Sequence, residues 1–355
     1  MINKMTVSVV EAFNHCKDNA EHVILDVRTS SEWSLGIPEG ATCIELNDIK
    51  TSAEIKLSKD NHYYVTCQTS QRSDIAIEQL KALGFSNVCL INDGYQAWVK
   101  QELPIEIPTI ENNDLRYQRH YQLKGFGKHA QEKLNNAHVL LIGVGGLSSS
   151  SALYLAAAGI GHLTIIDDDV VSLSNLQRQV IHTTDAVGTT KVESAQKQLS
   201  ALNPEIQIIA IAERLNQENA KQLISQADIV IDGSDNLETR YLVNDLCMHY
   251  EKPLVYAAVY QYEAQISSFD FTKENAPCLR CLFPQTKGFE PANCTTEGVL
   301  GVVPGLAGIM QATEAIKLLA NVGKTLTSKL LIIDLLDNSF RTIKYSKGTN
   351  CLCCK

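Results

Sequence analysis

Eleven cysteines are the first residues whose types and spacing could do chemistry. Cys278-Leu-Arg-Cys281 and Cys351-Leu-Cys-Cys354 form two Cys-x-x-Cys pairs, and four thiolates in two such knuckles suit a tetrahedral Zn2+ ion. No ligand position would stay open, so the ion's role would be structural. Cys353 is an alternative fourth ligand, though the spacing favours Cys354. A high, odd cysteine count favours thiols for metal binding and catalysis over disulfides.

Cys67 stands in "CQTSQRS" (67–73), between the buried-strand pattern "HYYVT" and the helical pattern "RSDIAIEQLKALG". Its sulfur is then expected at a helix N-terminus, where backbone N–H groups and the helix dipole favour negative charge, with Arg72 adding a cation nearby. A thiol cradled this way can hold a persulfide, whose terminal sulfur is anionic. Position alone leaves a buried core cysteine equally open.

A third set begins at "LIGVGGLSSS" (141–150). Gly143, Gly145 and Gly146, with Ser148 in the last position, nearly match G-x-G-x-x-G, and Asp167 follows about 20 residues on, where an acid bonds ribose hydroxyls. NAD and ATP fit that pattern alike. The residues that follow choose between them. Asn175, Arg178 and Gln179 in "DDDVVSLSNLQRQVIH" and Lys191 in "GTTKVESA" bring cations to the same region. A dehydrogenase has no use for them. A triphosphate losing pyrophosphate does. Asp235, in "IDGSDN", ends a strand and is placed for Mg2+.

Two α/β architectures in series must position these residues. Residues 1–102 alternate short strands ("HVILDV", "HYYVT", "NVCLI") with helices, and "QELPIEIPTIENND" (101–114), with prolines and no period, reads as a linker centred on 103–113. Residues 114–355 show the doubly wound pattern, with strands "AHVLLIG", "HLTIID", "IQIIAIA", "DIVIDG" and "PLVYAAV" separated by helices. Cys16, Cys43, Cys89 and Cys247 fall in apolar or helical contexts and read as core. The chain's net charge is −9 with a pI near 5.5, which argues against a nucleic-acid partner. The first 22 residues lack a signal-peptide core, and no run reaches the roughly 18 apolar residues of a membrane helix, so the cytoplasm is the expected compartment.

Over 1–102, "LDVRTSSEWSLGIPEGA" (25–41), the Cys-x-x-x-x-Arg-Ser loop and "LGFSNVCLINDGYQAW" (83–98) resemble a single-domain rhodanese, a sulfurtransferase whose loop cysteine carries the persulfide. Ser70 and Asp93 stand where that family usually has glycine, and glycine takes φ > 0 without cost.

The larger module is similar to the adenylating enzymes of the MoeB/ThiF family, relatives of the ubiquitin-activating enzymes. The likeness rests on "LRYQRHYQLKGFG" (115–127), "GVGGL", "VSLSNLQRQ", "GTTKVESA", "DGSDN" and the cysteine-rich end. It implies ATP, Mg2+ and Zn2+ as cofactors. Asp167 would bind the ribose, Arg178 and Lys191 the phosphates with Asn175 and Gln179 in support, and Asp235 the Mg2+. Arg119 would reach into the partner subunit's site of a homodimer. Cys294, just before "EGVLG", would lie on a loop crossing the active site, able to take up the activated carrier or relay sulfur. Ser148 departs from the family glycine. The implied substrate is the C-terminal glycine of a small ubiquitin-like sulfur carrier ending in Gly-Gly, with a cysteine desulfurase or similar persulfide donor upstream. Two other readings are an NAD-dependent oxidoreductase, opposed by Arg178, Lys191 and Asp235, and a module that only docks a ubiquitin-like partner, to which Ser70 and Ser148 leave an opening.

Overall fold

The computed structural model describes residues 5–17, 19–33, 35–107, 115–284, 298–349, 351, 353 and 354; the chain falls into two compact units, Met1–Gln118 and Arg119–Lys355.

Short apolar runs in the first unit become a five-stranded sheet, every pairing parallel, in the order Thr6–Val7, Val88–Ile91, His62–Thr66, His22–Asp26, Thr42–Cys43. Helix Gln71–Ala82 buries Ser73, Ala76, Ile77 and Leu80 at helical spacing, and Gly84 at φ +88° follows its end. Parallel strands send their carboxyl ends to one edge, and Cys67 leaves the central strand there. Asp26 and Arg28 pair beneath the surface at 2% exposure or less; the guanidinium also donates to the Gly36 carbonyl and lies 3.6 Å above the Tyr95 ring, which satisfies an otherwise costly buried charge. The first residues of the expected linker are built into this unit. Ile105–Glu106 pairs antiparallel with Ile37–Pro38, and the Pro104 carbonyl accepts from the Trp98 indole (2.9 Å) and the Glu39 amide (3.1 Å).

The second unit holds an eight-stranded sheet. Its first five strands are parallel, ordered Gln207–Ile211, His162–Ile166, His138–Ile142, Ile229–Asp232, Leu254–Tyr260. These are the strands expected from sequence. The chain winds one way from His138–Ile142 and then returns to lay Ile229–Asp232 on its other side, so the order reverses between those two, the position at whose carboxyl ends open α/β sheets place their ligands. Three antiparallel strands, Glu263–Phe269, Lys329–Asp334 and Ser339–Lys344, extend the sheet and were not foreseen. Their hairpin turns use Gln261 (φ +48°) and Asn338 (φ +53°) in place of glycine, which removed the usual turn signal.

Helix Gly146–Ala158 is rich in small residues and buried from Leu147 through Ala152 without a break, with Tyr154 and Ala157 exposed in its second half. Against it packs Val302–Ala320, a 19-residue helix long and apolar enough, by length and average composition, to cross a membrane, although Gln311, Thr313, Glu314 and Lys317 keep it from being an unbroken apolar run. Its apolar character serves the core. A Cβ on Gly308 would lie 2.0 Å from the Leu147 carbonyl oxygen, so only glycine permits this approach. Gln311 and Glu314 are buried on the same helix: Gln311 donates to the Asp232 carbonyl (2.7 Å), and Glu314 accepts from Ser268 Oγ (2.7 Å), Leu326 N (2.6 Å) and Lys317 Nζ.

Candidate functional site

In the second unit the glycine loop leaves strand His138–Ile142 at the switch point. Gly143 sits at φ +79°, and a Cβ there would press on the Gly233 carbonyl at 3.1 Å. Gly145 caps helix Gly146–Ala158, and the absent Cβ of Gly146 makes room for Pro304 and the Arg178 side chain. Asp167 closes the loop from the next strand: Oδ2 accepts from Val144 N at 2.6 Å, and Oδ1 accepts from Asp169 N at 2.8 Å. The carboxylate still has lone pairs for a ribose hydroxyl.

A 3₁₀ turn, Leu173–Asn175, leads into the residues expected to meet the phosphates. The Asn175 carbonyl accepts from the amides of Arg178 (3.1 Å) and Gln179 (3.0 Å). Gln179 is buried, its amide nitrogen near the Gly145 Cα side, and its Oε1 is buried with no hydrogen-bond partner. A buried acceptor left open beside a side-chain-free loop fits a ligand donor arriving there. Lys191 begins helix Lys191–Leu202 and is buried; its Nζ is held by Asp169 Oδ2 at 2.6 Å. Asp235 is exposed just past strand Ile229–Asp232, and Arg119 is exposed on the short helix Gln118–Tyr121.

Between them runs a rigid support the sequence reading did not find. Asp232 is wholly buried, and burial pushes its carboxyl up despite nearby Arg240. Its Oδ1 accepts from Ser234 N (2.9 Å) and Oγ (2.6 Å), while Arg240 donates to the Ser234 carbonyl at 2.7 Å. The residue before Asp235 is therefore gripped on both sides. The signal was present in the quoted "IDGSDN": an acid two residues before a serine, at a strand end, forms an Asx turn.

The four expected zinc ligands meet. Sulfur separations are 3.8 Å for Cys278–Cys281, 3.6 Å for Cys278–Cys351 and 3.2 Å for Cys281–Cys354, and all four sulfurs lie within 4.8 Å of one another. A tetrahedral ion with Zn–S near 2.3 Å requires sulfurs about 3.8 Å apart, so the donor set fits. Cys353 points elsewhere, donating to Asp245 Oδ1 at 3.0 Å. That carboxylate also takes the Arg280 guanidinium (2.7 Å).

In the first unit Cys67 is 1% exposed between its strand and helix Gln71–Ala82. Its carbonyl accepts from Tyr95 N at 2.7 Å, and a Cβ on Gly94 would lie 2.1 Å from that oxygen. Ser70 and Asp93 do take the left-handed conformation glycine would adopt, at φ +79° and +59°. Arg72 is committed to Glu32 by two bonds of 2.7 and 2.6 Å, a partner the sequence did not supply. Burial opposes ionisation of Glu32, but the Arg72 fork and the Thr29 amide and hydroxyl outweigh it, holding the carboxyl at about 2. Of the four cysteines expected in the core only Cys247 is fully buried; Cys16, Cys43 and Cys89 are half-buried, and partial burial pushes the Cys16 and Cys43 thiols up to about 11 and 12, so none of them favours a thiolate. Cys294 lies outside the described residues.

Residues 117–353 match the ThiF family, and residues 9–101 match the rhodanese-like domain. The chain belongs to the ThiF family. The "SAMP-activating enzyme E1" of Haloferax volcanii is 43% identical over 242 residues, 67% of this chain and 88% of that protein. The "Sulfur carrier protein adenylyltransferase" of Thermus thermophilus is 41% identical, covering 72% and 92%. The "Adenylyltransferase and sulfurtransferase MOCS3" of Culex quinquefasciatus is 42% identical over 70% of this chain, which spans 57% of that longer protein. Among solved structures, E. coli MccB with AMPCPP and MccA has a TM-score of 0.60 at 25% identity, covering 80% of this chain and 81% of that one.

Within the ThiF-family unit, contacts link the expected nucleotide-site residues at the carboxyl ends of the parallel strands: Gly145 lies by the Gln179 amide, Gly146 by the Arg178 side chain, and Asp167 connects the loop through Asp169 to Lys191. In the rhodanese-like domain the structure gives Cys67 the loop between strand and helix that the sequence implied. His182 is a further residue missed by sequence reasoning; it closes the quoted "QRQVIH" and touches the glycine loop at Val144 O, 3.2 Å away.

Proposed function

We propose that the ThiF-family unit activates the C-terminal carboxylate of a small ubiquitin-like sulfur carrier with ATP, and that Cys67 of the rhodanese-like domain then supplies sulfur to give a thiocarboxylate. One observation carries the reading: a single chain joins a nucleotide crevice flanked by Arg178 and Lys191 to a buried loop cysteine at a helix start. The relatives named as sulfur carrier adenylyltransferase and as adenylyltransferase with sulfurtransferase support it.

A carrier carboxylate oxygen attacks the α-phosphorus, the P–O bond to the pyrophosphate breaks, and an acyl adenylate forms. The glycine loop and Asp167 seat the nucleotide. Arg178 and Lys191 neutralise charge on the departing pyrophosphate, as preorganised cations do best in a site with little water. Asn175 and Gln179 hold the turn and meet a ligand donor. Mg2+, on Asp235, would screen the phosphates. A persulfide donor such as a cysteine desulfurase loads Cys67. The terminal persulfide sulfur then attacks the acyl carbon and expels AMP, giving an acyl disulfide. A thiolate, from Cys294 or an added thiol, attacks the Cys67 sulfur. The carrier thiocarboxylate leaves, and the thiol and Cys67 end as a disulfide. Tethering both activities raises their effective concentration into the ~mM range. The four-cysteine cluster would hold Zn2+ as a structural tie.

The test is ATP–pyrophosphate exchange on the full chain with carriers ending in Gly-Gly. Exchange that needs a carrier and is lost in Arg178→Ala or Asp235→Ala supports the reading. No exchange with any carrier overturns it and leaves a docking unit beside a sulfurtransferase.

A further inference from the structure

His182 is 5% exposed, and it joins three pieces of the nucleotide crevice. One ring nitrogen, Nε2, lies 3.2 Å from the Val144 carbonyl oxygen in the middle of the glycine loop. The other, Nδ1, lies 3.0 Å from Ser194 Oγ, one turn into the helix that Lys191 begins. A carbonyl only accepts, so Nε2 carries the proton and Nδ1 accepts from the Ser194 hydroxyl. The His182 amide donates to the Gln179 carbonyl at 3.1 Å, tying in the turn that holds Arg178 and Gln179.

The ring of bonds closes on itself. Val144 N donates to Asp167 Oδ2, Asp169 N donates to Asp167 Oδ1, and Asp169 accepts the Lys191 amide on its carbonyl (2.9 Å) and the Lys191 ammonium on its carboxylate (2.6 Å). From Lys191 the helix leads to Ser194, and from Ser194 the imidazole leads back to Val144. Val144 is thus bonded through both its N–H and its C=O, and the hydrogen bonds that connect the loop to the lysine's helix run through His182 and through Asp167 with Asp169. Burial lowers the His182 pKa, which keeps the neutral tautomer this circuit needs.

We propose that His182 is a positioning residue for nucleotide binding: it locks the glycine loop to the first turn of the Lys191 helix, so that backbone amides and ammonium are spaced for a triphosphate before it arrives. This rests on the ATP reading above. Its cost is a side chain that touches no nucleotide, and its gain is less ordering on binding.

The experiment compares the full-length chain with His182→Ala, His182→Gln and Ser194→Ala. Each is followed by amide hydrogen exchange, by equilibrium ATP binding, and by ATP–pyrophosphate exchange with carrier. In His182→Ala, faster amide exchange confined to residues 143–147 and 190–195 is expected. ATP should bind roughly tenfold more weakly, and KM for ATP should rise by the same factor with kcat within about twofold and zinc content unchanged. His182→Gln, which keeps a donor near the Nε2 position, should recover most of the loop protection and affinity. Ser194→Ala should loosen the helix turn alone. Wild-type loop protection in His182→Ala overturns the proposal. So does faster exchange spread evenly over the unit, which would make His182 an ordinary core residue. If His182→Ala does not fold, the same comparison is read from His182→Gln and Ser194→Ala, and no local change in either overturns it. A wild-type chain with no pyrophosphate exchange would end the adenylation reading, while the amide-exchange comparison would still decide the role of His182.

Discussion

Ser148 and Gly233 face each other so closely that a Cβ on Gly233 would lie 2.1 Å from Ser148 Oγ. The serine that replaces the last glycine of the loop motif is accommodated because the residue opposite has no side chain. Gly233→Ala also meets the Ile142 carbonyl at 2.9 Å, so it should cost about 1–3 kcal/mol of stability and weaken ATP binding. Adding Ser148→Gly should recover part of that loss. Ser148→Ala alone should be neutral or stabilise by up to about 1 kcal/mol, because the Ser148 hydroxyl is buried without a partner. Denaturant midpoints of the three variants check this; a destabilised Ser148→Ala would contradict it.

The left-handed Ser70 invites repair by glycine, but the terms nearly cancel. Removing the Cβ at φ +79° relieves about 1–2 kcal/mol, because glycine holds that conformation without strain. Glycine adds roughly 0.4–1 kcal/mol of unfolded-state freedom, and the bond from Ser70 Oγ to the Ile91 carbonyl (3.2 Å), about 0.5–1 kcal/mol, is lost. Ser70→Gly should therefore stay within about 0.5 kcal/mol of wild type, whereas Ser70→Val should cost about 2 kcal/mol or more. Unfolding curves, with transfer of thiosulfate sulfur to cyanide as a check on Cys67, measure both.

Glu32 titrates at about 2 when folded against an ordinary 4.5. A depressed acid stabilises the fold above its unfolded pKa, and that stability is lost as pH falls through the folded one. The window is therefore pH 4.5 down to about 2. Glu32→Gln should cost about 1 kcal/mol at pH 7, discounted for the partial exposure of the Arg72 pair, and the gap to wild type should narrow as pH falls from 4.5 toward 3. A gap independent of pH would mean that Arg72 does not act there as a charge partner.

Cys354→Ser should abolish tight zinc binding, and Cys353→Ser should leave it intact, because only Cys354 faces Cys281. Metal analysis of the purified chains separates the two. Zinc lost from Cys353→Ser would reassign the fourth ligand.

If Arg119 completes the site of a second copy in a homodimer, Arg119→Ala and Arg178→Ala chains, each inactive alone, should regain pyrophosphate exchange when mixed, because one of the two sites in a hybrid is whole. Mixed chains that stay inactive would mean that each site draws both arginines from one chain, or that Arg119 has no role in exchange.

The sequence carried the five parallel strands because buried β-branched runs and glycine turns are local signals. It carried the cysteine pairs for the same reason: spacing is written in the chain. It did not carry the partner of Arg72, since Glu32 lies 40 residues away, nor the Asp232–Arg240 grip on Ser234, which only folding assembles. It did not single out Val302–Ala320, whose apolar run is broken by Gln311, Thr313, Glu314 and Lys317, because the packing that makes the helix a core element is tertiary. His182 went unread because a lone histidine after a turn has no spacing partner; its two contacts lie 12 and 38 residues away.

The cysteine cluster has a consequence in polymer terms. Its facing pairs are 73 residues apart in the chain, so a bound ion closes a ring of that size. By the entropy of loop closure, a cross-link of that span removes about 4 kcal/mol of freedom from the unfolded chain. The ring contains Val302–Ala320, whose Gly305 carbonyl takes the Ser150 hydroxyl at 2.7 Å from the helix behind the glycine loop. An ion bound by the four cysteines would thus limit how far the chain that packs against the glycine-loop helix can wander, and losing it would lengthen the free chain on which that packing depends.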